Sequence, residues 1–408
     1  MKLEEIMDGI VAEMIRLGHS PYNAYRRYGE IYLPIRHFCE AQGATDYDEA
    51  TIQEFVQLTY ERYQNGEIKR QRCSELTCAG RKIIHYARTG TYLWSPQKRG
   101  TRYELNVYYT EILNDFLSSE DFHPNTADDI VWVTRRYFHW LLVQQIEKIS
   151  DTDPVCIQNY MHECAEQMKS SSVYNIHLYL KKLYVFLHKA GYISDPYTEF
   201  FTFKICRESR MFPAANPESV NAVLNVIDTQ TSVGKRDYAI IMMGYVLGMR
   251  AVDIARLKLS DIHWQEGEIR FAQKKTGNPV ALPLTTDVGK ALEDYILNGR
   301  PQSDCEEIFL RGTPPFFPLK DPIAIGDQYN IYLKRAGIQR IAGDGLGFHS
   351  LRRATGKNLV TSGTPVNIVA QVLGDSNIDS TRKYISLDSE HLAECALDFT
   401  GIEPGATR

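Results

Sequence analysis

The stretch His349-Ser350-Leu351-Arg352-Arg353, followed by Leu373-Gly374-Asp375-Ser376 and Thr381-Arg382-Lys383-Tyr384-Ile385, decides how this chain is read. A phenol stands downstream of an arginine, and a histidine precedes that arginine by three residues. Far upstream, Gly248-Met249-Arg250 supplies a second arginine. A guanidinium offers several donors in a planar fork and stays charged. That suits the negative charge that builds on the non-bridging oxygens of a phosphodiester under attack. In such chemistry the Tyr384 phenol is the nucleophile, and a separate acid protonates the leaving oxygen. A helix beginning near Ser350 sets His349 and Arg352 one turn apart at its positive end, where a phosphate is favoured.

Outward from this stretch, the pattern predicts helices over about 217–229, 234–249, 251–258, 286–298, 325–336, 350–362, 365–373 and 378–384. Between the third and fourth lies a strand-rich segment from Ile262 to Leu284. There Ile262 and Trp264, Ile269 and Phe271, and Val280 and Leu282 alternate, and Glu266-Gly267 and Thr276-Gly277-Asn278-Pro279 supply turns. Asn216 is placed to cap the helix that opens at Pro217. Ser389 can cap a last helix with Leu392, Cys395, Ala396 and Phe399 on one face.

Residues 1 to about 210 read as almost wholly helical, with apolar positions at three-to-four spacing in Tyr32, Ile35, Phe38 and Cys39 and again in Leu180, Leu183, Phe186 and Leu187. Asp46 to Phe55 resembles Asp151 to Tyr160, and Ile84 to Tyr92 resembles Phe186 to Tyr192. The offset of roughly 100 residues predicts two similar helical bundles in tandem. The fold class expected is therefore mainly α, with a small antiparallel β-sheet in an α+β C-terminal domain. The boundaries expected are an N-terminal bundle over 1–100, a second bundle over 101–205, a linker at 206–216 and a C-terminal domain over 217–408.

The 408 residues are 43% hydrophobic, enough to build sizeable cores. No apolar run is long enough for a membrane span, and Met1 to Glu5 lacks a signal-peptide pattern, so a soluble intracellular protein is expected. Eight cysteines include no Cys-x-x-Cys pair, and neither a metal-ligand cluster nor a Gly-rich phosphate loop is legible. No metal and no cofactor are expected; phosphates would be handled by side-chain cations. The net charge of −5 is unlike that of a general nucleic-acid binder, but from Lys69 to Arg102 nine basic residues face one acid, Glu75. That run is either a solvated face or a DNA-binding surface, with Arg81, Lys82 and Arg88 as candidate phosphate contacts.

Taken together, Gly248 to Ile254, Lys274-Lys275-Thr276-Gly277 with Leu282-Pro283-Leu284, His349 to Arg353, Leu373 to Ser376, and Tyr384 resemble, in order and spacing, the catalytic domain of the tyrosine recombinase (phage integrase) family. The resemblance covers roughly residues 215–400, and the bundle at about 104–200 is similar in pattern to the family's core-binding domain. It implies an enzyme that recombines DNA at specific sites through a 3′-phosphotyrosine on Tyr384, without metal or ATP. Arg250 and Arg352 would clamp the scissile phosphate, and His349 would support proton transfer or donate to a phosphate oxygen. Asp253 would orient Arg250, and Lys275, or else Lys274, would protonate the leaving 5′ oxygen. Arg353 is assigned a DNA-backbone contact.

The departure from the family pattern is Asp375, where histidine or tryptophan is usual. It either pairs with a backbone N–H or an arginine such as Arg352, or is protonated when DNA is bound. The resemblance further implies double-stranded DNA with inverted-repeat core sites as partner and a homo-tetramer in synapsis from a monomer or weak dimer. An accessory bending or directionality factor and a cytoplasmic, nucleoid-associated setting are also implied. The last helix would dock on a neighbouring protomer or on its own domain. A DNA-binding regulator derived from a recombinase and a type IB topoisomerase-like enzyme are the alternative readings.

Overall fold

The computed structural model describes residues 2–44, 46–91, 103–201, 211–274, 277–319, 322–375 and 384. The chain divides into two compact units, one formed by Met1–Trp94 with Met211–Arg408, the other by Ser95–Arg210. The mainly helical class with a small antiparallel sheet is what the structure has. Among the described residues, no helix is long and apolar enough to cross a membrane.

The first bundle comprises α1 (Leu3–Arg16), α2 (Pro21–Arg27), α3 (Leu33–Ala41), α4 (Glu49–Gln64) and α5 (Arg70–Thr89). A π-helical turn, Tyr28–Tyr32, joins α2 to α3. Ile6, Ile10, Met14, Ile35, Ile52 and Ile83 are buried together at its centre. The second unit holds α6 (Val107–Ser118), α7 (Pro124–Val143), α8 (Pro154–Gln167) and α9 (Ser170–Lys189). Leu180, Leu183 and Leu187 on α9 are fully buried, each contributing about 1.5–3 kcal/mol of apolar burial. The resemblance between the two halves has a local cause. Asp48 accepts the Thr51 backbone N–H at the start of α4, and Asp153 accepts that of Cys156 at the start of α8. Each carboxylate satisfies a donor left orphaned by the first turn of its helix.

In the C-terminal domain, α10 (Pro217–Asn225) opens on Asn216, whose side chain accepts the Ser219 N–H at 2.8 Å. Next come α11 (Ser232–Val246) and the single turn α12 (Ala251–Ile254). The three strands β1 (Ile262–His263), β2 (Glu268–Ala272) and β3 (Pro279–Pro283) pair in that order, all antiparallel. After them come α13 (Thr286–Asn298), α14 (Pro322–Arg335), α15 (His349–Thr361) and α16 (Val366–Leu373). Two expectations are corrected. The helix expected over 251–258 is one turn, because Leu257 leaves it to pair with Ile308. Trp264 is no inward strand residue: β1 ends at His263, and the indole sits exposed in the following turn. The expected helices at 378–384 and from Ser389 onward lie outside the described residues, apart from Tyr384 itself.

Ile240, Met243, Ile254, Ile269, Leu292, Tyr329 and Leu351 belong to one core that joins helices to sheet. A buried ionic network runs through it. The Arg236 Nε donates to Asp237 Oδ1 at 2.8 Å, its Nη1 donates to the Leu310 carbonyl at 2.9 Å, and the Tyr332 hydroxyl donates to Asp237 Oδ2 at 2.9 Å. The network ties α11 to α14 and to the chain beside Leu310. Burial raises the Asp237 carboxyl, and Arg236 opposes that shift. Removing one partner strands a buried charge, so Asp237→Ala is expected to destabilise the domain by about 3–5 kcal/mol in urea unfolding. A loss below about 1 kcal/mol would show that the pair is dispensable to the core.

Candidate active site

Three chain segments far apart in sequence meet at one point, and each arrives by a turn its sequence allows. Gly248 adopts φ 65° after α11, a conformation that suits glycine. A Cβ there would also lie 2.7 Å from Leu373 Cδ2. The turn leaves Arg250 at the head of α12 and presents the Gly248 carbonyl, which accepts from Arg352 Nη1 at 2.8 Å. Arg352 itself lies in the first turn of α15, 3% exposed.

At the other end, Gly374 closes α16 with φ 62°, and the Asp375 N–H donates back to the Ala370 carbonyl at 2.9 Å. This turn aims Asp375 at the arginines. Its Oδ1 accepts from Arg250 Nη2 at 2.7 Å and from Arg352 Nη2 at 2.8 Å. Both guanidiniums thus point at one oxygen. The other oxygen, Oδ2, is buried and has no hydrogen-bond partner among the described residues.

Gln273, which the sequence reading did not single out, completes the frame. Its Oε1 accepts from Arg250 Nη1 at 2.7 Å and its Nε2 donates to the Leu373 carbonyl at 3.1 Å. That carbonyl also accepts from Arg352 Nη2. One amide therefore links the β2–β3 hairpin to Arg250 and to the end of α16. Asp253 has two tasks: its Oδ1 accepts the Lys274 backbone N–H at 2.9 Å, while Oδ2 lies 3.9 Å from Arg250 Nη1. Burial raises its carboxyl, against the Lys274 N–H and the arginines. Lys275, assigned the proton for the leaving oxygen, lies outside the described residues.

The Arg250 guanidinium is held below its usual range, first by burial and then by the Arg352 charge; Asp375 and Asp253 oppose this. Tyr384 is 5% exposed, beside Val369 and Leu373. Its ring lies against the backbone of α15 at Gly356, where a Cβ would come within 2.7 Å of the ring. Burial raises the phenol, while the Arg352 charge and hydrogen bond pull it back. Tyr384 and the arginine pair are thus in one electrostatic neighbourhood.

His349 opens α15 with part of its surface exposed. The protein packed around the ring, then the Arg353, Arg352 and Arg250 guanidiniums, hold it down to about 4. At neutral pH it is an uncharged imidazole, able to donate from one nitrogen and accept at the other.

Arg353 stands outside this cluster. Its Nε donates to the Pro213 carbonyl at 2.9 Å, its Nη2 donates to the Gly345 carbonyl, and its guanidinium lies over the Phe212 ring. In the first bundle, Arg88 is bound to Glu49, whereas Arg81 is exposed on the same helix and Lys82 is half-buried beside His19.

Known proteins share parts of this sequence and fold. Residues 215–391 match the model of the phage integrase family. A Sinorhizobium fredii protein that carries the name integrase/recombinase y4rA is 32% identical over 46% of this chain and 45% of its own length. A second from that organism, y4gC, with the same description, is 33% identical over 43% of this chain and 90% of its own. The chain thus spans about half the length of the first and nearly all of the second. In fold, the described domains resemble lambda integrase (residues 75–356), solved as a dimer bound to a COC′ core site. The TM-score is 0.53 at 16% identity, covering 72% of this chain and 98% of that one.

Two outcomes follow from the packing and the charges. Gly356→Ala is expected to cost about 1–3 kcal/mol of stability by crowding the Tyr384 ring. In a Tyr384→Ala background the same change becomes neutral or stabilising by up to about 1 kcal/mol, as helix propensity alone dictates. Equal penalties in both backgrounds, measured by chemical unfolding, would place the clash elsewhere. For His349 the folded value lies below the unfolded one, so its contribution is complete above about pH 6.5 and is lost as pH falls toward 4. The ring resonances of His349 should titrate near 4 by NMR, and a midpoint at or above 6.5 would contradict the assignment.

Proposed function

Since the chain belongs to the phage integrase family, we propose that it is a site-specific tyrosine recombinase that cuts and rejoins DNA through Tyr384. The observation that carries this reading is the convergence of Arg250 and Arg352 on a single acceptor oxygen with Tyr384 in the same neighbourhood. A scissile phosphodiester seated on the two guanidiniums receives several fixed donors on its non-bridging oxygens. These donors gain strength as the pentavalent intermediate gathers charge. The buried Tyr384 phenol passes its proton to water and attacks phosphorus in line with the leaving 5′ oxygen; the O–P bond to Tyr384 forms as the bond from phosphorus to the 5′ oxygen breaks, leaving a 3′-phosphotyrosine. Neutral His349, at the rim, can accept or donate a hydrogen bond at the phosphate without adding charge.

Lys275 delivers a proton to the leaving oxygen. Asp253 supports this step from outside by holding the Lys274 N–H at the root of the same hairpin. The phosphate ester retains the energy of the broken bond, so the reverse attack by a 5′ hydroxyl reseals the strand. The residues at 1–100 form an N-terminal DNA-binding or assembly domain, in which exposed Arg81 reaches DNA more readily than Arg88, already bound to Glu49. Residues 101–205 form the core-binding domain, 206–216 the linker and 217–408 the catalytic domain. The partner is double-stranded DNA with inverted-repeat core sites, bound by a homo-tetramer in synapsis.

The test uses duplex DNA from the flanks of the encoding gene. Wild-type protein should form an adduct with the DNA that survives denaturation, while Tyr384→Phe binds the same DNA and forms none. Adduct formation by the Phe variant would move the nucleophile to another residue. DNA binding with no adduct from wild type would leave a regulator, and relaxation of supercoiled DNA without strand exchange would leave a topoisomerase.

A further inference from the structure

The phosphate seat of this site is already occupied by a carboxylate. Asp375 Oδ1 takes one hydrogen bond from each of the two guanidiniums, at 2.7 and 2.8 Å, the arrangement a non-bridging phosphate oxygen would adopt. The side chain is 8% exposed, so it cannot withdraw into solvent without rearrangement. Its Oδ2 is buried and has no hydrogen-bond partner among the described residues. An ionised carboxylate has four acceptor positions and no donor; a neutral carboxyl has one donor. A phosphodiester entering beside Oδ2 therefore meets an anion unless that oxygen carries a hydrogen. Two like charges at contact distance cannot both persist in a dry site.

Resting on the recombinase reading above, we propose that Asp375 is a further catalytic residue, which takes up a proton as the scissile phosphodiester binds and donates it from Oδ2 to a non-bridging phosphate oxygen. The atoms balance simply. Solvent supplies one proton, the carboxylate becomes a carboxyl, and the new O–H⋯O hydrogen bond replaces an anion–anion contact. No bond of the substrate changes in this step. On release of DNA the proton returns to solvent, and Oδ1 again bridges the arginines.

The charged and titratable groups facing Asp375 come from each surrounding element. Arg250 precedes α12 and Asp253 lies on it, His349 and Arg352 come from α15, and Tyr384 comes from the segment that follows; Arg353 on α15 is turned to the Pro213 and Gly345 carbonyls, and Lys274 reaches the site through its backbone N–H on Asp253. His349 is the neighbouring group able to take a proton in place of Asp375, so the experiment must separate the two.

The experiment measures proton uptake on binding of flanking duplex DNA. Calorimetry is run in buffers of different ionisation enthalpy, with Tyr384→Phe protein so that no chemistry intervenes. About one proton should enter per site, and affinity should fall by up to about tenfold per pH unit on the alkaline side. Adding Asp375→Asn, whose amide is a fixed donor, should abolish the uptake and flatten the profile; adding His349→Gln should leave the uptake in place. With Tyr384 intact, adduct formation by Asp375→Asn should gain on wild type as pH rises, and Asp375→His should behave likewise. Uptake that survives Asp375→Asn, or vanishes with His349→Gln, overturns the proposal, as does wild-type binding without uptake. Because adducts are scored separately, adduct formation without Asp375-linked uptake removes only this inference. Absence of any wild-type adduct removes the recombinase reading and this inference with it.

Discussion

Two guanidiniums held side by side in a mostly buried pocket repel each other, and the C-terminal domain is arranged to make that tolerable. Burial, and then the Arg352 charge, depress Arg250, and Asp375, Asp253 and Tyr384 oppose them. Neutral dipoles contribute the rest. The carbonyls of Gly248 and Leu373 take donors of Arg352, and the Gln273 amide oxygen takes one of Arg250. Each of these acceptors belongs to a different segment, so the cation pair is also what pulls the segments together. Oriented acceptors of this kind satisfy the cations without consuming their charge, which stays available to an anion.

That requirement explains features that are otherwise unrelated. The left-handed turns at Gly248 and Gly374 each deliver an acceptor to the pair: the first its own carbonyl, the second the carboxylate that follows it. The hairpin of β2 and β3 brings Gln273 and, through the Lys274 N–H, a hold on Asp253. The Arg236–Asp237–Tyr332 network fixes α11, the helix that leads into the first arginine. A fault in any of these would be felt as a change in the distance between two positive charges.

Much of this was legible in the sequence. Gly248-Met249-Arg250, Lys274-Lys275, His349-Ser350-Leu351-Arg352 and Tyr384 stand out in the sequence by side-chain type; the structure brings Arg250, Arg352 and Tyr384 into one neighbourhood, while Lys275 lies outside the described residues. The small sheet showed in its alternation and turns, and the Asp48 and Asp153 caps account for one shared position in the sequence likeness of residues 46–55 and 151–160. Gln273 was not legible, since an amide in a hairpin carries no charge and its role exists only through contacts across 23 and 100 residues of sequence. The anchoring of Arg353 to Pro213 and Gly345 was hidden for the same reason: a guanidinium satisfied by carbonyls reads like one waiting for phosphate. The helix at 251–258 was overextended because local apolar spacing cannot reveal that Leu257 pairs with a distant strand-like segment.

Asp375 has one more consequence, concerning ions and not bonds. Two arginines facing solvent would each gather anions from the buffer, which an incoming phosphate would have to displace, in addition to the cations that the nucleic acid itself sheds when its phosphates are neutralised. Here the counter-ion is covalently part of the chain and sits 2.7 and 2.8 Å from the two cations. Seating a phosphate on this pair sets few buffer anions free. Any salt sensitivity of a phosphate seated here would then reflect cations leaving the nucleic acid and not anions leaving the protein.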